Sequence, residues 1–161
     1  MAFNWKKQTM KHEGFRGKPY DDAGSKAIGY GSRLSSHPNI DPAIISGARD
    51  MTPEEAEALF SPDYAVAMEH AKEYVGEKWA KLTGNQKGVI TDMAYNMMKG
   101  PTPEENGLFK FEKMRELIQT GDMKSVPAEM MRGTGKNKLS KWAAAVKTRA
   151  VTDSTMFNAP D

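Results

Sequence analysis

The densest cluster of reactive side chains in the chain is Glu13-Gly14-Phe15-Arg16-Gly17-Lys18-Pro19-Tyr20-Asp21-Asp22. Its two acidic ends have unlike settings. Glu13 closes a segment, Phe3 to His12, that can form one short helix, with Gly14 where a helix C-cap glycine would stand. The negative end of the helix dipole disfavours an ionised carboxylate there. With partial burial, such a carboxyl keeps its proton nearer neutrality, as a general acid must. Asp22 lies nine residues on, at the edge of a turn, where solvent keeps it ionised. Two carboxyl groups held in opposite protonation states are what glycosidic bond hydrolysis uses. A helix-end Glu followed by two turn Asp residues accounts for the same spacing, so both readings stand at this point.

Other candidate chemistries fail on residue type. Gly29-Tyr30-Gly31 lacks the third glycine and the following helix of a dinucleotide fingerprint. Gly133-Thr134-Gly135-Lys136-Asn137 imitates a phosphate loop, but Met130 stands where the first glycine belongs and Asn137 replaces the hydroxyl residue. There is no Cys, which removes disulfides, thiol nucleophiles and Cys-based metal sites. Three scattered His (His12, His37, His70) give metal catalysis little support, so no metal and no cofactor are expected.

These residues need elements to hold them. Positions 14–39 are rich in Gly, Ser, Pro and Asp and read as turns and short strands, with a strand over Lys26–Gly31 after a tight Ala23-Gly24-Ser25 turn. Thr52-Pro53-Glu54-Glu55 combines a Thr N-cap, Pro at N1 and Glu at N3, so it starts a helix. That helix carries apolar residues from Ala56 to Val75, and Pro62 predicts a break near Ser61. Further helices are expected over Val89–Met98, over Leu108–Ile118 stopping at Gly121, near Val126–Met131, and from Leu139 to Ala150, with loops at 100–103 and 133–135. The fold class is α+β: a small hairpin-bearing N-terminal lobe and a larger helical C-terminal lobe, with a cleft between them. As a single domain of 1–161, it divides into an N-terminal lobe over about 13–50, a linking helix over about 52–75 and a helical lobe over about 76–161, on which the first helix (3–12) packs.

Composition bounds the function. The 161 residues include 39% hydrophobic and 27% charged, which suits one soluble folded domain. The twelve Met read as core filling. A net charge of +2 argues against a dedicated nucleic-acid binder. It is unevenly spread, however. Residues 1–35 carry seven Lys+Arg and three acids, 51–76 six acids and one Lys, and 110–149 ten Lys+Arg and four acids. Basic stretches suit a polyanionic wall or envelope. No apolar run reaches the ~20 residues of a membrane span, and the first eleven residues show no signal-peptide pattern.

Taken together, Glu13-Gly14-Phe15-Arg16, Pro19-Tyr20-Asp21-Asp22 and Ile28-Gly29-Tyr30-Gly31 resemble the phage-type lysozymes, or endolysins, of glycoside hydrolase family 24. The likeness continues through Met51-Thr52-Pro53-Glu54-Glu55-Ala56-Glu57-Ala58-Leu59-Phe60 with Asp63, Tyr95-Asn96, Leu117-Ile118-Gln119-Thr120-Gly121-Asp122, and a weakened C-terminal motif, Ala145-Val146-Lys147-Thr148-Arg149 with Asp153. It spans almost the whole chain. The resemblance implies a lysozyme-like fold and a muramidase that cleaves the β-1,4 bond between N-acetylmuramic acid and N-acetylglucosamine in peptidoglycan, for host lysis by a phage. Glu13 matches the family's general acid and Asp22 its second carboxylate. In an inverting mechanism the two carboxyl groups lie ~6.5–9.5 Å apart.

Two departures bear on mechanism. Where the family has a Thr before the Ile-Gly-Tyr-Gly strand, this chain has Ala27, five residues after Asp22 instead of six. Counted from Asp21 the step is six, which makes Asp21 a rival. Ser25 could supply the missing hydroxyl from the turn. Ser32 stands where relatives often have His. The resemblance further implies that Arg149 approaches the catalytic Glu, in an orienting or structural role. It also makes Tyr30, Arg33, Tyr95, Asn96 and Phe111 candidates for sugar binding; core packing is the other reading of the aromatics, and of Tyr20 as well. The expected partners are peptidoglycan glycan strands, without nucleic acid or stable membrane insertion, and the expected state is a monomer. The expected route is host cytoplasm, then holin-dependent release to the periplasm and wall. A lytic transglycosylase, a virion-associated wall-degrading protein and a non-catalytic wall-binding module are the alternatives.

Overall fold

A computed structural model describes residues 3–22, 24–133 and 139–161. Ala23 of the expected hairpin turn, and most of the expected loop and phosphate-loop imitation at 133–137, lie outside the described residues. The elements in chain order are α1 (Trp5–Glu13), β1 (Arg16–Asp22), β2 (Ser25–Gly29), β3 (Ser32–Arg33), α2 (Pro42–Ile45), α3 (Pro53–Val75), α4 (Gly84–Met97), α5 (Glu112–Thr120), α6 (Val126–Met131), α7 (Lys141–Val146) and α8 (Thr148–Met156), with short 3-10 turns between several of them. The mixed fold with a small sheet agrees with the α+β expectation.

The chain forms two compact units, Lys6–Val66 and Ala67–Asp161 with the chain's start up to Trp5. The first unit holds an antiparallel sheet in the order β1-β2-β3. Tyr20 stands opposite Ala27, Asp21 opposite Lys26, Asp22 opposite Ser25, and Ala27 also opposite Arg33. Ile28 faces a core of Ile44, Met51 and Ala56, with Tyr30, Leu34, Ile40 and Leu59 packed on it. Gly29 permits this: a Cβ there would lie 2.9 Å from the Ala56 Cβ. An aromatic run, Phe15, Tyr30, Phe60 and Tyr64, closes the side of the unit with ring centroids 5.5–6.1 Å apart.

The Thr52 cap is formed as expected, with the Thr52 hydroxyl accepting from the Glu55 N–H (3.2 Å) and the Glu55 carboxylate from the Thr52 N–H (2.8 Å). The expected break at Pro62 is absent, and α3 continues through it to Val75. A mid-helix proline costs ~3 kcal/mol. Apolar burial on both sides offsets that cost: Ala56 and Phe60 before it, and Ala67, Ala71, Tyr74 and Val75 after it, are fully buried.

In the second unit α8 packs on α4, α6 and α7, and α6 also on α5. Fully buried Val89, Ile90, Met93, Leu108, Met114, Ile118, Met130 and Phe157 supply much of its interior. Thr83 and Gln86 form a reciprocal capping box that starts α4. The helix expected from Leu108 is a 3-10 turn over Gly107–Lys110 followed by α5, which ends at left-handed Gly121 as expected. The last expected helix is two, α7 and α8, because Lys147 takes φ 40° and ψ −99° between them. Among the described residues no helix is long and apolar enough to cross a membrane.

Candidate active site

Glu13 is the last residue of α1, and the chain turns at once through Gly14 (φ 71°), whose N–H donates to the Met10 carbonyl at 3.0 Å. That turn directs Phe15 and Arg16 into β1. Side chains alternate across a strand and directly opposed residues share a face. Tyr20, Asp22, Ser25, Ala27 and Arg33 therefore share one face of the sheet. Asp21 lies on the other face and pairs with exposed Lys26 at 2.9 Å, so Asp21 and Asp22 are held apart by the pleat.

Tyr20 connects the two ends of the acidic cluster. Burial first, and then the negative charges of Asp22 and Glu13, push its hydroxyl above the ordinary tyrosine range; Arg16 acts in the opposite sense. The Arg16 guanidinium sits over the Tyr20 ring, 4.2 Å from its centroid. Ser25 accepts a hydrogen bond from Arg33 Nη1 at 3.0 Å, which fixes its oxygen opposite Asp22. Ala27 is fully buried, as is Ser32 to within 1%. An imidazole does enter this unit's polar network, but from His37, whose Nε2 lies 3.0 and 3.1 Å from the two Asp63 carboxylate oxygens.

Tyr30 does not share the Asp22 face. Its ring packs on Phe15 and Phe60 and lines a cavity of about 350 Å³ with Met10, Phe15, Lys7, Lys11 and Glu57. Tyr95, Asn96, Phe111 and Arg149 belong to the second unit. Tyr95 and Asn96 lie in the last turn of α4, with Tyr95 buried. Phe111 packs edge-on against Trp142 with centroids 6.3 Å apart, and both line a cavity of about 720 Å³ with Met97, Met114, Leu139, Lys110 and Arg132. Arg149 is buried and donates to Asp92 through Nε (2.6 Å to Oδ2) and Nη2 (2.9 Å to Oδ1, 3.2 Å to the backbone carbonyl).

The sequence reading missed a second buried acid beside Asp92. Asp153 is fully buried, and one of its carboxylate oxygens lies within 4.8 Å of one of Asp92's. Burial first, and then Asp92, push its carboxyl up to about 9. Neither of its oxygens accepts a hydrogen bond from a described residue. A neutral acid explains both facts, since its one proton is free to be shared with Asp92. No local signal foretold this: Asp92 is 57 residues from Arg149 and 61 from Asp153.

The family model for phage lysozymes matches residues 10–151. The chain belongs to the phage lysozyme family. It is 26% identical over 114 residues to peptidoglycan hydrolase gp36 of Pseudomonas phage phiKMV, a match that takes in 71% of this chain but spans only 12% of that relative's length. Its fold is that of the muramidase domain of SpmX from Asticaccaulis excentricus, with a TM-score of 0.67 at 20% identity over 97% of this chain and 95% of the other. In this phage lysozyme family member, Glu13, Asp22 and the Ile28-Gly29-Tyr30-Gly31 segment all fall within the matched span.

Proposed function

We propose that this chain is a muramidase that hydrolyses the β-1,4 bond between N-acetylmuramic acid and N-acetylglucosamine in peptidoglycan, in the service of host lysis by a phage. The observation that carries the reading is family membership over 142 residues, a span that holds both Glu13 and Asp22. Glu13, protonated, gives its proton to the glycosidic oxygen as the C1–O4 bond breaks and its electron pair leaves with that oxygen. Asp22 is the base that draws a proton from a water attacking C1 from the opposite face of the ring. Ser25, fixed by Arg33 opposite Asp22, is the hydroxyl available to hold that water in place of the one missing at Ala27. Asp21 is occupied by Lys26 on the other face, which favours Asp22 as the second carboxylate.

Arg33 is on hand to bind sugar hydroxyls beside Asp22, and Tyr95, Asn96 and Phe111 are the candidates for glycan contact in the second unit. Arg149 acts structurally through Asp92. The enzyme works as a monomer on wall glycan strands and reaches the wall by holin-dependent release from the host cytoplasm.

A second reading is favoured by one observation. The buried methyl of Ala27 removes a water-holding hydroxyl, and a lytic transglycosylase needs a Glu13 acid but no ordered water. Products separate the two. Digestion of purified peptidoglycan is expected to leave reducing N-acetylmuramic ends; anhydro-muramic ends would replace hydrolysis with transglycosylation, and no soluble product would leave only a wall-binding role.

A further inference from the structure

We propose that Gly31 is a positioning residue for Glu13: the missing side chain at 31 is what lets the carboxyl of Glu13 lie against the turn between β2 and β3. This rests on the reading of Glu13 as the proton donor.

Gly31 is the second of the two residues between β2 and β3, beside the pairing of Ile28 with Ser32, and it takes φ 87°. Left-handed backbone alone accounts for a glycine at such a place. The space around it adds a second requirement. A Cβ at Gly31 would lie 3.2 Å from Glu13 Oε2, 3.8 Å from Cδ and 3.9 Å from Cγ. All three of its nearest neighbours are thus atoms of one side chain, and they are the reactive end of it.

Of the six other left-handed glycines described, Gly29 and Gly76 meet Ala56 and Gln119, and the remaining four provide the contrast. Gly14 (71°), Gly24 (87°), Gly47 (78°) and Gly121 (85°) have the same sign of φ, and a Cβ at any of them would meet nothing within 4 Å. At those positions glycine answers only to conformation. At Gly31 any L-residue, even one that tolerates φ > 0, puts a carbon 3.2 Å from Glu13 Oε2, so that the carboxyl must give by a few tenths of an ångström.

A displaced acid donates less well to the glycosidic oxygen while sugar binding is untouched, so the loss falls on kcat. The two requirements at Gly31 separate by substitution. Gly31→Ala has both faults. Gly31→Asn relieves the backbone, since Asn enters the left-handed region readily, but keeps the Cβ. Gly121→Ala, at the end of α5, imposes a comparable backbone penalty far from Glu13 in sequence and in open space.

The experiment measures kcat, KM and the pH–rate profile on soluble peptidoglycan glycan chains, with thermal midpoints, for the parent, Glu13→Gln and these three variants. Gly121→Ala is expected to lose stability and keep parental kinetics. Gly31→Ala and Gly31→Asn are expected to lose roughly three- to tenfold in kcat with KM within about twofold, and to shift the limb of the pH profile that Glu13→Gln abolishes. Gly31→Asn should be the more stable of the two, and it carries the test if Gly31→Ala does not fold. Parental kcat and pH profile in folded Gly31→Asn would overturn the role of Gly31 and leave that of Glu13 intact. Activity retained in Glu13→Gln would instead remove the acid on which the inference rests.

Discussion

Asp153 shows how a residue's surroundings decide its chemistry. In the unfolded chain it ionises in the ordinary carboxylate range; in the fold, burial and Asp92 hold it protonated up to about 9. The folded state therefore binds a proton that the unfolded state has lost. The fold is most favoured at this position below the ordinary carboxylate range. The penalty grows as pH rises from there to about 9, then levels off. Asp153→Asn keeps the shape and a donor toward Asp92 but has no charge to suppress. We expect the variant to be more stable than the parent at pH 7 by roughly 1–4 kcal/mol, with the difference closing toward pH 4. Thermal midpoints across that range check the expectation, and a parallel pair of curves would contradict it. Glu13 and Asp22 could be nominated from the sequence because both lie in one contiguous segment. The Asp92–Arg149–Asp153 cluster could not, because burial and long-range pairing have no local spacing.

Elements were legible where the signal was a cap or a terminal glycine, as at Thr52 and Gly121. They were misread where tertiary burial overrode a local rule, as at Pro62, or where strain sits on an ordinary residue, as at Lys147 (φ 40°). Gly88 shows the same override. It lies inside α4, where alanine is ordinarily better by ~1 kcal/mol. Here the Trp5 indole rests on the helix, its Nε1 donating to Asn85 Oδ1 at 2.9 Å, and a Cβ on Gly88 would fall 2.0 Å from the ring. Gly88→Ala should therefore reverse the usual sign and destabilise by about 1–3 kcal/mol or more. Denaturant midpoints measure this, and a stabilised variant would contradict the packing of Trp5 on α4.

Across the whole molecule a net charge of +2 conceals an acidic stretch at 51–76 between two basic ones at 1–35 and 110–149. Attraction of basic surface to an anionic wall is screened over about 8–10 Å at moderate salt. Lysis of intact wall should slow severalfold between about 0.05 and 0.3 M salt, whereas turnover of short uncharged glycan fragments should change little. Equal sensitivity of both substrates would remove the electrostatic role. The family was readable from sequence because its motifs run through nearly the whole chain, and the match over residues 10–151 bears that out. Release of reducing ends from purified peptidoglycan by Glu13→Gln beside the parent tests most directly whether Glu13 is the proton donor of a muramidase. A loss of at least about a hundredfold is expected, with an unchanged circular-dichroism spectrum and thermal midpoint. Near-parental release from the folded variant would contradict it.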